Sequence, residues 1–149
     1  MSFKISSAFK KCQKENRSAL ITYTVAGDNN KKNSLKILNS VAKYADILEL
    51  GFPHNTPIAD GGQIQGSSFR SLKNGLKLKD VFEITKKFKK NNSSKPIILM
   101  GYYNMIFQYG ENKFLRKCKI SGVNGLIVVD LPWPENKKFA SKCKKKINI

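Results

Sequence analysis

The chain has 149 residues, 40% of them hydrophobic and 26% charged. That is the composition of one folded domain and excludes a disordered chain. Its formal net charge is +18, yet Lys supplies nearly all of it and Arg stands only at 17, 70 and 116. Bidentate recognition of phosphates and bases is therefore not indicated, and no nucleic-acid partner is expected.

No run reaches the roughly 18–20 apolar residues that cross a bilayer, so no membrane partner is expected. The first residues lack the apolar stretch of a secretory signal. Cys12, Cys118 and Cys143 form no CxxC pair and no metal-ligand spacing. They read as three reduced thiols of a cytoplasmic protein, with no metal.

In chain order, apolar spacing predicts a helix over Phe3–Lys14. Residues 19–26 are β-rich and stop at Gly27-Asp28. A helix follows over Ser34–Tyr44, with Asn33 or Asp28 as its cap. Asp46–Gly51 reads as a short buried strand. Gln63–Lys73 and Lys79–Lys90 read as helices, the first closed by Asn74-Gly75. Lys95–Tyr102 is a third strand, Glu111–Ser121 a helix, Asn124–Asp130 a fourth strand and Glu135–Lys145 a last helix. Ile147–Ile149 reads as the opening of a fifth strand.

Short continuous apolar runs between helices predict a parallel sheet with both faces covered. Polar residues gather where these runs end, at Gly27-Asp28, Glu49–Gly51, Gly101–Tyr103 and Asp130, as on the active face of an α/β protein. The spacing of the βα units fits a (β/α)8 TIM barrel. On this reading residues 1–149 are a single domain: an N-terminal helix, four βα units and the start of a fifth strand. That is about the first half of such a barrel, and a piece of a longer chain is expected, because a half barrel leaves strand edges unpaired.

Glu49 is the conspicuous residue. It sits inside a strand with Leu on both sides. A buried carboxylate without a partner is costly unless it takes up a proton, so its affinity for a proton should rise. Asp60 follows in the tight loop Pro57-Ile58-Ala59-Asp60-Gly61-Gly62. Two acids near the end of one parallel strand suggest acid/base chemistry. No P-loop, dinucleotide, nucleophile-elbow or zinc-protease motif occurs. His54, the only histidine, reads more readily as a loop bystander than as a catalyst.

The stretch Leu48-Glu49-Leu50-Gly51-Phe52-Pro53-His54-Asn55-Thr56-Pro57-Ile58-Ala59-Asp60-Gly61 closely resembles the signature of the tryptophan synthase alpha subunit. Tyr23–Asp28, Met100–Asn104 and Val128–Pro132 resemble other strand ends of that family, in the right order and spacing. The resemblance implies a (β/α)8 lyase that cleaves indole-3-glycerol phosphate to indole and glyceraldehyde 3-phosphate by a retro-aldol step in tryptophan biosynthesis.

By the same resemblance Glu49 is the general acid/base. Asp60 accepts the indole N–H and stabilises the positive charge that grows on the ring. Tyr23, Leu50, Met100, Tyr102, Ile127 and Val129 match positions lining the indole pocket. For Leu50 and Ile127, plain barrel core is an equal alternative. The family uses no cofactor in this subunit; pyridoxal phosphate belongs to the beta subunit, its partner in an alpha2-beta2 heterotetramer. The loop of Pro53, Asn55, Thr56 and Pro57 is implied to face that partner. Thr56 departs from an acid usual there, which puts the interdomain salt bridge in doubt. The implied phosphate site lies after the seventh and eighth strands, so these 149 residues alone are expected to be inactive or nearly so. The alternatives are a basic α/β module that binds nucleic acid and a non-catalytic unit that docks on a partner subunit.

Overall fold

The computed structural model describes residues 3–147. Helix α1 (Phe3–Lys14) precedes β1 (Ile21–Val25), α2 (Lys31–Val41) and β2 (Ile47–Gly51). Then come α3 (Gly62–Lys73), α4 (Leu78–Asn91), β3 (Ile97–Gly101), α5 (Tyr103–Tyr109) and α6 (Glu111–Ser121). Strand β4 (Gly125–Val128) and α7 (Lys137–Ile147) complete the order. The four strands form one sheet in the order β1-β2-β3-β4, every pair parallel.

Side-chain alternation divides this sheet into two unlike faces. Leu48, Leu50, Ile97 and Leu99 share a fully buried cluster with Leu38 of α2, Val81 and Phe88 of α4, and Phe114 and Leu115 of α6. Each such side chain taken from water contributes about 1.5–3 kcal/mol, so this layer dominates the fold. The opposite face carries Tyr23, Glu49 and Ile98 in register on adjacent strands, and Gly51, Met100 and Ile127 one step further along. At its lower end Ile5 of α1 and Ile98 both come up against Gly125, and Ile47 is fully buried. One end of this second face is thus plugged by α1, while Glu49 and its neighbours stay only partly covered.

Three expectations need correction. Helix α2 begins at Lys31 and is capped by Asn30, whose Oδ1 accepts the Asn33 N–H at 2.8 Å, so neither Asn33 nor Asp28 is the cap. A short helix, α5, lies between β3 and α6 where none was expected. Ile147 closes α7 instead of opening a fifth strand; the rest of that expectation, residues 148–149, lies outside the described residues.

Candidate functional site

Strand β2 places Glu49 opposite Tyr23 on one side and Ile98 on the other. Its flanking leucines, Leu48 and Leu50, point to the helix-covered core, so the alternation that buries them turns Glu49 to the other face. Burial there raises the Glu49 carboxyl above its ordinary range.

Gly51, the last residue of the strand, leaves room for a neighbour. A Cβ at this position would lie 2.1 Å from Tyr23 Oη, so the phenol rests over the end of β2. Burial raises that phenol, and the charges of Asp60 and then Glu49 raise it further.

Asp60 arrives by the loop from β2 to α3. Tyr102, buried just past β3, meets it: Asp60 Oδ2 is 3.3 Å from Tyr102 Oη, which also accepts the Ala59 N–H at 2.9 Å. The Tyr102 ring lies 4.9 Å from that of His54. Gly101 plays the part of Gly51 one strand over, since a Cβ there would lie 2.2 Å from the Phe52 ring.

The acids of the chain divide into those that meet a cation and those that do not. The chain has 28 Lys and Arg against ten Asp and Glu. Glu15, Asp28, Asp46, Asp80 and Glu111 are each in a salt bridge. Among the described residues Glu49, Asp60, Glu83, Asp130 and Glu135 are in none; of these, Glu49 stands within the sheet and Asp60 meets a buried phenol. Two unneutralised carboxylates, one pushed by burial toward its protonated form, can divide proton donation from stabilisation of positive charge.

The remaining sequence-predicted residues separate by face. Met100 pairs with Gly51 and Ile127, so these two join Glu49 on the partly open side, and Ile127 is exposed. Val129 follows two residues after Ile127, its N–H on the Gly101 carbonyl at 3.2 Å. Leu50 is wholly buried in the helix-side cluster, the core alternative of its two readings. In the loop, Pro53 is buried, Pro57 partly buried, and Asn55 and Thr56 exposed. Asn55 and Pro57, with His54, Gln65, Phe69 and their neighbours, line an open groove of 770 Å³ that does not include Glu49.

Two other strand-end acids have structural partners. Asp28 accepts two bonds from Arg70 at 2.8 Å and one from Ser67 at 2.7 Å, and the Arg70 bonds hold it below the usual carboxylate range. Asp130 Oδ1 accepts the Tyr103 N–H at 2.7 Å, at the start of α5. Sequence reasoning missed Gln65, whose side-chain amide donates to the Asp60 carbonyl at 2.8 Å. It also missed the space-making role of Gly51 and Gly101; glycine ending two successive apolar runs was the available signal. Among the described residues no cluster of three or more His, Cys, Asp and Glu could hold a metal.

The sequence profile of the tryptophan synthase alpha chain family matches residues 9–149. The tryptophan synthase alpha chain of Pelagibacter ubique is 71% identical over 142 residues, covering 95% of this chain and 54% of the relative. A crystal structure of tryptophan synthase subunit alpha from Legionella pneumophila superposes with a TM-score of 0.93 at 33% identity, over 98% of this chain and 56% of that one. A chain of the tryptophan synthase complex from Pyrococcus furiosus superposes with a TM-score of 0.83 at 45% identity, over 87% of this chain and 53% of that one. The chain spans about half the length of these relatives, and its four-stranded arc is that of their TIM barrels. The sequence match across nearly all of it and the superposed backbone together make this chain a member of the tryptophan synthase alpha chain family.

Proposed function

We propose that the chain carries the acid/base half of a lyase that splits indole-3-glycerol phosphate into indole and glyceraldehyde 3-phosphate. The observation that carries this reading is the placement of two acids at the ends of adjacent strands: Glu49 opposite Tyr23 on the partly covered face, and Asp60 held at Tyr102 just past β3. Glu49 delivers a proton to the ring carbon that bears the glycerol chain. Its raised affinity for a proton suits that step near neutral pH. Asp60 accepts the indole N–H and offsets the positive charge that develops as the carbon–carbon bond breaks. Tyr23, Met100, Tyr102, Ile127 and Val129 form the apolar wall against which the ring lies. Leu50 supports that wall from the core. The step is a proton transfer coupled to bond cleavage and uses no cofactor in this subunit.

The exposed loop residues Asn55 and Thr56 and the groove that Asn55 borders support docking on a beta subunit that carries pyridoxal phosphate, in an alpha2-beta2 assembly. The Pyrococcus furiosus relative is described as such an a2b2 complex. Thr56 brings no charge to that contact. Three unpaired thiols fit a reducing cytoplasm.

Binding of the phosphate belongs to the part of the relatives that these residues do not span. Indole release from indole-3-glycerol phosphate tests the proposal. The 149 residues alone should run at below roughly 1% of the rate of the same residues joined to the C-terminal half of the Pelagibacter relative, because uniform loss of a substrate anchor removes several kcal/mol. No turnover by the joined chain would overturn the reading.

A further inference from the structure

The loop between β2 and α3 brings Asp60 to the site, yet it exposes Asn55, Thr56, Ile58 and Ala59. Loop residues retain conformational freedom that must be lost before they can orient a ligand. Its anchors are therefore informative. Phe52, at its start, is seated against Gly101. His54 lies with its ring on that of Tyr102, and its Nδ1 is buried without a hydrogen-bond partner. At the other end, the Ala59 N–H and the Asp60 carboxylate both meet Tyr102 Oη. From the α3 side, Gln65 holds the carbonyls of Pro57 and Asp60 at 3.4 and 2.8 Å, but not the carboxylate. Among the described residues, only Tyr102 hydrogen-bonds the Asp60 side chain.

The direction of these bonds follows from chemistry. A phenol has one proton to give and lone pairs to receive. With the Ala59 N–H donating to Tyr102 Oη, the phenolic proton is free to face Asp60 Oδ2. That leaves Oδ1 open toward a donor on the ligand. Burial and the Ala59 bond keep Tyr102 in place without help from the ligand.

We propose that Tyr102 is a positioning residue, whose hydroxyl fixes the end of the β2–α3 loop and aims one Asp60 oxygen at the N–H of a bound aromatic ring. The identification of that ring with indole rests on the lyase reading; the loop-ordering role does not. In this role Tyr102 acts beside its contact with the ring, through a bond to Asp60 that exists before any ligand arrives. The carboxylate then meets its donor without reorganising.

Tyr102→Phe tests this, since it keeps the ring against His54 and deletes the hydroxyl. Two probes separate aim from shape: indole, which has an N–H, and 1-methylindole, which has none. The unsubstituted chain should bind indole roughly tenfold more tightly, as expected for a hydrogen bond to a charged group. In Tyr102→Phe that preference should fall below about threefold, with 1-methylindole affinity unchanged. Amide exchange at Ala59 should accelerate at least about tenfold, while Leu48 and Leu50 of β2 keep their protection and report an intact fold. An unchanged preference, a parallel loss for both probes, or unchanged exchange at Ala59 would overturn the proposal. If the unsubstituted chain shows no indole preference, the lyase reading fails, and exchange at Ala59 alone decides the positioning role.

Discussion

Glu49 is held where partial burial disfavours its charge. Burial raises its affinity for a proton above that of an unfolded glutamate, so between the unfolded and folded titration points the native state binds more protons. Stability from this group is full below the unfolded value and is lost as pH rises through the folded one. Glu49→Gln should therefore raise the urea midpoint at pH 7 and leave it unchanged near pH 3.5. A variant less stable than its parent at pH 7 would show that the Glu49 carboxylate is held by a favourable partner in the native state. Under the proposed lyase reading, the same burial that weakens the fold readies the proton. The neighbouring Leu50 belongs to the opposite side of the strand. Leu50→Ala should cost about 2–5 kcal/mol, the range for a buried leucine replaced by alanine. Ile127→Ala, on an exposed position, should cost less than about 1 kcal/mol in denaturant melts. Equal losses would contradict the division of faces.

At the level of strands and helices, the apolar runs that end at Val25, Gly51, Gly101 and Val128 were readable because a strand buried under helices has no polar positions to spare. Glu49 stood out for the same reason. Helix α5 was not readable: Tyr103–Tyr109 is seven residues long and rich in aromatics, too short for a helical period to declare itself. Its start is fixed from a distance, by Asp130 on the Tyr103 N–H. Nor could spacing tell which strand-end acids would be neutralised. Asp28 meets Arg70 only because β1 and α3 lie side by side. Asp60 was visible as a second acid in the tight loop after the strand of Glu49, whereas its bond to Tyr102 depends on where β3 delivers a phenol. The glycines at the two strand ends carry a prediction of their own. Gly101→Ala drives a methyl into the buried Phe52 ring, and overpacking of this kind costs about 1–3 kcal/mol. Gly51→Ala meets the end of the Tyr23 side chain instead, so it should displace the phenol at a smaller loss of stability. Thermal melts of the two variants, read beside Tyr23 fluorescence, check this order. A Gly51→Ala variant more damaged than Gly101→Ala would refute it.

In the molecule as a whole, Lys86, Lys87, Lys90, Lys138, Lys144, Lys145 and Lys146 are exposed, all on helices that cover one side of the sheet. Glu49 lies on the other side of the sheet from these lysines. The sheet ends in two strands with one neighbour each, β1 and β4. Leu20, Ile21 and Ile127 are exposed along them. Open edges invite pairing with other chains, and a high net charge opposes it. Screening should tip this balance: sedimentation should show more self-association at 0.5 M salt than at about 20 mM, because the Debye length falls from roughly 20 Å to a few Å. Association that weakens with salt would point instead to contacts made through opposite charges. The family membership and the arc of strands agree with a chain that covers half the length of its relatives. The most direct measurement of the division of labour between Glu49 and Asp60 is single-turnover indole release by the chain joined to the C-terminal half of the Pelagibacter relative. Glu49→Gln and Asp60→Asn should each lower that rate by roughly 10²–10⁴-fold at pH 7, the range for removal of a general acid or an electrostatic stabiliser. Release by either variant within about tenfold of the unsubstituted chain would contradict it.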